Sequence, residues 1–129
     1  MILTVCVDDR MGLSLGGRRL SKDSALREKL WKLSCGKLRM SAYSARQFDF
    51  PVYSGADYLS GAKEGDWCFV ENNDYVVFTD SIEKIVLFRW NRRYPADTYF
   101  EFPGKWTLVS AGDFPGTSHE KITMEVYER

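Results

Sequence analysis

Hydrophobic residues occur along the chain in short runs, and their spacing predicts strands in some places and helices in others. Residues 2–7 are largely apolar at odd and even positions alike, which is typical of a central strand buried on both faces. Gly12, Gly16 and Gly17 interrupt the pattern soon afterwards and predict a flexible loop. The chain is therefore expected to begin with a buried strand followed by a mobile segment.

A helix is predicted after this loop, because leucines recur there at helical spacing. Ser21 or Asp23 can cap its first turn, and Gly36 can end it. Residues 37–42 then fit a second strand. The leucines that define the buried face of the predicted helix are Leu26, Leu30 and Leu33.

The middle of the chain, residues 46–66, gives the poorest pattern. Residues 50–53 can form a short edge strand, since proline is tolerated at a sheet edge. Residues 56–62 can form one or two helical turns. Beyond this segment, residues 67–70 form a compact apolar run that predicts a strand, and residues 75–78 can begin a short helix.

The last third of the chain predicts consecutive strands. Residues 82–90 carry the strongest strand signal, since β-branched and aromatic residues follow one another there. Residues 106–111 and 122–127 predict two further strands, and the long turn between them favours antiparallel pairing. Strands first alternate with helices and then run consecutively, which predicts one α/β domain over residues 1–129 with a mixed sheet.

Length, charge and cysteine count narrow the class of protein. A chain of 129 residues fits one domain, and 18 basic against 18 acidic side chains exclude a generally basic nucleic-acid binder. No apolar run approaches the roughly 18 residues needed to span a bilayer, and the first residues lack the basic region of a signal peptide. Cys6, Cys35 and Cys68 are odd in number and widely spaced, so we expect reduced thiols in a cytoplasmic protein.

Several segments follow one another in a recognisable order: residues 7–12, 38–44, 82–88, 97–100, 106–110 and 125–129. In this order, and nearly in this spacing, they resemble the dihydrofolate reductases. The resemblance implies a reduced version of that family's architecture. We therefore expect a compact domain with a central mixed, mostly parallel sheet, antiparallel C-terminal strands and two or three short helices.

The position at which these reductases bind the NADPH phosphates is altered in this chain. The family carries consecutive glycines there, at the start of a helix, whereas this chain has residues 70–73 with Glu71 in a glycine's place. A second phosphate contact of the family falls on residues 42–44, where only the hydroxyl of Ser44 remains. The segment from Ser44 to Glu71 is also too short to hold the adenosine. The resemblance therefore predicts that NADPH no longer binds and that the chain uses no cofactor.

The pterin side of the site is altered as well. Asp23 falls at the family's pteridine-binding acid, but the hydroxyl that assists this acid would lie at Phe88, and Arg27 replaces an apolar residue. Asp23 is equally a favoured helix cap, which is the commoner role, and Asp8 and Asp9 are expected to be loop acids facing water. The candidate cleft consists of Asp8, Gly12, Asp23, Arg27 and Glu71.

Arginines interleaved with aromatic residues form one local concentration of positive charge. Such a composition is typical of protein interfaces and of sites that bind single-stranded nucleic acid by stacking. It is also typical of a strand end whose arginines lie over rings and face solvent. Neutral net charge favours a protein partner over nucleic acid, because it gives no long-range steering. This arginine–aromatic patch comprises Arg18, Arg19, Arg89, Trp90, Arg92, Arg93 and Tyr94.

His119 is the only histidine, and we expect it in a surface loop. A single histidine excludes a two-zinc hydrolase of the histidine-rich kind, so no metal site is predicted. The sequence predicts a non-catalytic binding or protein-interaction module, with an unidentified protein partner or small ligand and no membrane contact. Two alternatives stay open: a small enzyme that uses the pterin-side cleft on another substrate, and single-stranded nucleic-acid binding through residues 89–94.

Overall fold

A central strand with parallel neighbours on both sides organises the fold. The computed structural model describes all residues from 1 to 129. Its elements, in chain order, are β1 (Ile2–Val7), β2 (Gly12–Leu15), β3 (Arg18–Arg19), α1 (Ser24–Ser34), β4 (Leu38–Met40), α2 (Ala42–Ala45), β5 (Tyr53–Ser54), β6 (Trp67–Phe69), a 3-10 helix (Asp74–Ser81), β7 (Lys84–Arg89), β8 (Thr98–Tyr99), β9 (Thr107–Phe114) and β10 (Ile122–Glu128).

Seven strands form the main sheet, in the order β5-β4-β6-β1-β7-β10-β9. β1 lies parallel to β6 and β7, and β4 lies parallel to β5 and β6. β10 lies antiparallel to both β7 and β9. The expected mixed, mostly parallel sheet with antiparallel C-terminal strands is confirmed.

Both faces of the main sheet are covered around its central strands, as a central strand that is apolar on both sides requires. On one face, Leu3 and Val5 of β1 belong to a core that includes Tyr75 of the 3-10 helix. On the other face, Leu30 of α1 packs in a core with Phe88 of β7. The apolar run at residues 2–7 therefore forms the buried central strand that its pattern predicts.

Helix α1 buries a face that the leucine pattern identifies only in part. Its buried residues are Leu26, Leu30 and Ser34, at intervals of four. Leu33, in the last turn of the helix, is 38% exposed and lies at the margin of this face. The helix predicted from the leucine spacing is present, but not every leucine of that spacing is buried. The predicted end of the helix at Gly36 is confirmed, since the chain turns into a left-handed conformation there (φ 81°).

The predicted flexible loop at residues 12–17 is wrong, because the segment forms a β-hairpin. Gly12 begins β2, and Gly16 and Gly17 form the turn to β3 with φ of 57° and 76°. Two successive left-handed residues match the twist of paired strands, which explains why glycine occupies both positions. β2 also pairs with β8, and Leu13 is buried in the core. The hairpin is thus a fixed part of a small second sheet.

The poorly patterned middle of the chain differs in detail from the prediction. The edge strand expected at residues 50–53 lies slightly later, at β5, which pairs only with β4. Residues 56–62 form separate hydrogen-bonded turns and no continuous helix, while residues 75–78 lie within the 3-10 helix. No helix of the chain has the length and apolar character needed to cross a membrane.

Candidate functional site

The carboxyl ends of the parallel strands meet at one edge of the main sheet. Asp8 directly follows β1, Glu71 lies two residues after β6, and Trp90 directly follows β7. Ligands of open α/β sheets bind outside this edge, because loops from several strands converge there. Asp8 and Glu71 of the candidate cleft therefore lie where a ligand would be expected.

Asp8 is buried and fully engaged by backbone donors. Its Oδ1 accepts hydrogen bonds from the N–H groups of Arg10 (2.9 Å) and Gly12 (2.7 Å), and its Oδ2 accepts one from Tyr94 (3.0 Å). Burial raises the pKa of Asp8, but these hydrogen bonds outweigh burial and hold the pKa below its ordinary value. The prediction that Asp8 faces water is wrong, whereas the neighbouring Asp9 is exposed as expected.

Gly12 is required by the packing around Asp8. A Cβ atom at this position would lie 2.8 Å from Oδ1 of Asp8 and 2.7 Å from Cβ of Ala96. Both distances are too short for a carbon atom. Gly12 therefore allows the close approach of its own N–H to the carboxylate, and it serves the internal contact of Asp8.

Asp23 caps helix α1, as its sequence position predicts. Its Oδ1 accepts hydrogen bonds from the N–H groups of Ala25 (2.9 Å) and Leu26 (3.2 Å) in the first turn. The N–H of Thr117, in the turn between β9 and β10, also donates to this oxygen at 3.0 Å. The carboxylate thus joins the start of α1 to a distant turn.

The second oxygen of Asp23 faces the same turn. Oδ2 accepts hydrogen bonds from the N–H of Ser118 (2.8 Å) and from Nδ1 of His119 (3.0 Å). Burial raises the pKa of Asp23, but the hydrogen bonds from Thr117, His119, Ser118 and Leu26 lower it far more. The result is a pKa well below the ordinary range, so the carboxylate is ionised at neutral pH.

His119 is buried, and the expectation of a surface histidine is wrong. Only 3% of the residue is exposed, and its ring stacks on Trp90 at a centroid distance of 4.5 Å. Its Nε2 lies 3.1 Å from Oγ of Ser21 and 3.0 Å from the hydroxyl of Tyr94. Because Nδ1 faces the carboxylate of Asp23, the fitting tautomer carries its proton on Nδ1 and accepts from the hydroxyls at Nε2.

Glu71 contacts both the β2–β3 hairpin and helix α2. Its Oε2 accepts from Nε of Arg19 at 2.9 Å, and its Oε1 accepts from Oγ of Ser44 (2.8 Å) and Nε2 of Gln47 (3.2 Å). The Arg19 guanidinium also lies over the ring of Tyr43, 4.3 Å from its centroid. The carboxylate of Glu71 is thus held by three side-chain donors.

The cleft residues share one region but enclose no cavity. The pKa of Cys6 is raised by burial and by the charges of Glu71 and Asp23. Arg27, one turn after Asp23, has a buried Nη1 with no hydrogen-bond partner. Neither of the two surface cavities of the molecule is lined by any of the five cleft residues.

The residues of the arginine–aromatic patch do not form one exposed surface. Arg19 is paired with Glu71, and Arg89 is paired with Glu125 at 2.9 Å. Trp90 is only 4% exposed, and Tyr94 is half-buried. The patch residues that remain exposed are Arg18, Arg92 and Arg93.

The larger surface cavity lies beside Trp90 and has a volume of about 500 Å³. Its lining combines two cations, Arg92 and Lys121, with the acid Glu120 and the amide Asn91. Such a mixed lining favours no single ligand charge. No group of three or more His, Cys, Asp or Glu side chains is arranged to hold a metal ion.

Two features of the site escaped the sequence pattern. The burial of Asp8 depends on Tyr94, and the burial of His119 depends on Asp23, far away along the chain. The local sequence gives one signal for the burial of His119. This residue follows Thr117 and Ser118, whose N–H groups donate to the carboxylate of Asp23 at a turn. No protein-family model matches the chain, and no curated protein matches it.

Proposed function

We propose that the chain is a non-catalytic protein-interaction module, built on a shortened dihydrofolate reductase-like domain that has lost its NADPH site. One observation carries this proposal: the three carboxylates at the carboxyl edge of the sheet are all engaged by donors of the chain itself. They are Asp8, Asp23 and Glu71. The mixed, mostly parallel sheet with antiparallel C-terminal strands supports the scaffold part of the proposal.

The engagement of Asp23 argues against binding of a pteridine-like ligand. A carboxylate offers about four lone-pair positions. The first turn of α1 and residues 117–119 already supply five donors to Asp23. An amino-pyrimidine group needs two acceptor positions side by side, and it would have to displace donors that are buried with the carboxylate.

The engagement of Glu71 argues against binding of NADPH. Its negative charge lies where the resemblance places the nucleotide phosphates, and a phosphate there would be repelled. The hydroxyl of Ser44, which the resemblance offers as a phosphate contact, donates to Glu71 instead. The chain continues into a 3-10 helix, Asp74–Ser81, which itself begins with an acidic residue.

The test measures binding and turnover together. Millimolar NADPH and dihydrofolate, separately and combined, should leave the melting temperature unchanged, and no NADPH oxidation should be observed. The Glu71→Gly/Asn72→Gly double variant should also fail to bind NADPH, with Glu71→Gln as the control for removal of the charge alone. A rise in melting temperature with NADPH in the unaltered chain would overturn the loss of the nucleotide site.

A second candidate function is an acyl-transferring or hydrolytic enzyme, and the contacts of His119 favour it. The imidazole of His119 links two side chains: its Nε2 lies 3.1 Å from Oγ of Ser21, and its Nδ1 lies 3.0 Å from Oδ2 of Asp23. This is the order of groups in a serine nucleophile, its general base and the acid that orients the base. Ser21 is half-buried, and Tyr94 shares Nε2 of the base.

In such an enzyme Oγ of Ser21 would form a bond to an acyl carbon while its proton passed to Nε2 of His119. The leaving group would take that proton, and water would then hydrolyse the acyl-serine and restore the hydroxyl. A fluorophosphonate probe, followed by peptide mass analysis, tests this candidate directly. Labelling of Ser21 that is lost in His119→Ala, but retained in the control Ser24→Ala, would replace the non-catalytic proposal. Absence of labelling would remove the second candidate.

The structure gives little support to the nucleic-acid alternative. Stacking of bases requires exposed aromatic faces, and Trp90 is buried against His119. A short single-stranded oligonucleotide should therefore show no salt-dependent binding to the chain. Binding that weakens in the Arg92→Ala/Arg93→Ala variant, with Arg46→Ala as the control for an exposed arginine elsewhere, would restore this alternative.

A further inference from the structure

One edge of the main sheet carries a long strand with no outer partner. β9 ends the strand order and pairs only with β10. No backbone hydrogen bond outside that pairing reaches residues 107–114. Residues 107–113 are all exposed, and the side chains include two large apolar ones, Leu108 (48% exposed) and Val109 (50% exposed). An extended apolar strand with free backbone donors and acceptors is a template for pairing with another strand.

The other edge of the sheet shows how this chain protects an edge when it is not used. β5 has only two residues, and the Arg39 guanidinium covers the ring of Tyr53 at 4.1 Å. β9 has eight residues and contains no proline, lysine or arginine, which are the usual protective residues of an edge. Its protection consists of Asp113 and one bulge opposite Val126. β9 is therefore the longer and less protected edge of the main sheet.

Resting on the proposed interaction role, we propose that β9 is the binding surface and that its partner is the β9 strand of a second copy of this chain. The two ends of the strand carry opposite charges, so two antiparallel copies of the strand are complementary to each other. Lys105 lies just before β9, and Asp113 lies near its end; both are exposed. Within its own chain Asp113 accepts a hydrogen bond from Oγ1 of Thr123 and has an exposed contact with Lys121 at 3.8 Å, so part of its charge still faces solvent. In an antiparallel pair related by a twofold axis at Val109, each Lys105 faces the Asp113 of the other copy, so the contact occurs twice.

The same register suits the remaining residues of β9. It places Leu108 and Val109 at the centre of the contact, where pairing removes their apolar surface from water. It also places Trp106 opposite the Gly112 of the other copy; the Trp106 ring stays packed against its own core, with the Arg129 guanidinium 4.4 Å from its centroid, and takes no part in the contact. The bulge beside Val109 lies at the axis, so regular pairing is needed only on its two sides. The zero net charge removes long-range repulsion between copies.

The experiment measures the mass of the unaltered chain in solution over a range of concentrations, by light scattering or sedimentation equilibrium. We expect twice the mass of one chain at high concentration and dissociation on dilution. Val109→Lys should raise the dissociation constant by about tenfold or more, since it places two like charges at the axis. Val77→Lys is the matched control, because Val77 is 83% exposed on the 3-10 helix, and it should leave the dimer unchanged.

Charge exchange tests the register itself. Lys105→Glu and Asp113→Lys should each weaken the dimer, and the double variant should restore it, because each pair is then reversed in sign. Circular dichroism and melting temperature verify that every variant is folded. A monomer at all concentrations, or a dimer that Val109→Lys does not weaken, would overturn the inference. Failure of the double variant to restore the dimer would overturn the proposed register. None of these results depends on the NADPH measurements, which test the proposed function separately.

Discussion

Asp23 is the residue at which two distant parts of the chain meet. It accepts hydrogen bonds from the first turn of α1 and from residues 117–119. The folded state therefore holds the pKa of this group well below the value of about 3.9 that it has in an unfolded chain. A carboxylate of this kind stabilises the fold above the unfolded pKa, and the stabilisation is lost as the pH falls through and below about 4.

Asp23→Asn is expected to lower the free energy of unfolding at pH 7 by about 1–3 kcal/mol, because charge-assisted hydrogen bonds are replaced by weaker ones. The unaltered chain should lose stability as the pH falls from about 5 toward 2, and the variant should lose less over the same range. Urea denaturation at several pH values measures both effects. Asp9→Asn, at an exposed position, is the control. Equal losses in the variant and the unaltered chain would show that Asp23 does not carry the pH dependence.

Residues with local roles could be predicted from the sequence, and residues with distant partners could not. The capping role of Asp23 follows from its position before a helix, and the structure shows that role. The burial of Asp8 and His119 depends on Tyr94 and Asp23, which are remote in the chain. A pattern read over neighbouring positions contains no information about such donors, so both residues were expected at the surface.

At the scale of elements, helix α1 is held to the sheet by a narrow apolar face. Leu30 is completely buried in the core with Phe88, whereas Leu33, three positions later, is 38% exposed. Leu30→Ala should lower the free energy of unfolding by about 3 kcal/mol, since it removes buried methyl groups and leaves a cavity. Leu33→Ala is the control and should cost less than about 1 kcal/mol. Thermal and urea denaturation measure the difference, and similar costs would contradict the assigned face.

The β2–β3 hairpin is held against the site by the ion pair between Arg19 and Glu71. Their side chains are 19% and 11% exposed, so water screens the pair only in part. A double-mutant cycle with Arg19→Met and Glu71→Gln should give a coupling energy of about 1–2 kcal/mol. Lys32 and Glu28 on α1 provide the control, because that pair is exposed and should couple by less than about 0.5 kcal/mol. Equal coupling in the two cycles would mean that the hairpin is not held by this contact.

The elements that can be predicted best from the sequence are those whose own pattern of apolar residues determines their conformation. β1 and β7 are apolar on both faces, and the structure gives them six residues each near the expected positions. The hairpin is not predicted because Gly16 and Gly17 interrupt a strand pattern in the same way in a flexible loop and in a tight two-residue turn, where both take left-handed conformations. The order of the strands depends on contacts between remote segments, which no local pattern records.

The three thiols report on the integrity of the whole molecule. Cys35 is exposed, whereas burial raises the pKa of Cys68 to about 11 and also raises that of Cys6. A thiol reagent should therefore modify one cysteine quickly in the native chain and all three in denaturant. Slow modification of Cys68 should follow global unfolding, because its strand lies beside β1. Cys35→Ser is the control and should abolish the fast phase; a fast phase that persists would contradict the burial of the strand thiols.

The central position of β1 has a consequence for how the chain acquires its structure. β1 is synthesised first, yet Ile2 pairs with Trp67 and Lys84, and the cap of α1 is completed only when Thr117 arrives. Contacts between residues so far apart in the chain give the topology a high contact order. Folding is slow in such a topology, because large loops must close before these contacts can form. β1 therefore stays unpaired until β6, near the middle of the chain, has been synthesised. We expect its exposure during that interval to favour binding of chaperones that shield extended apolar segments.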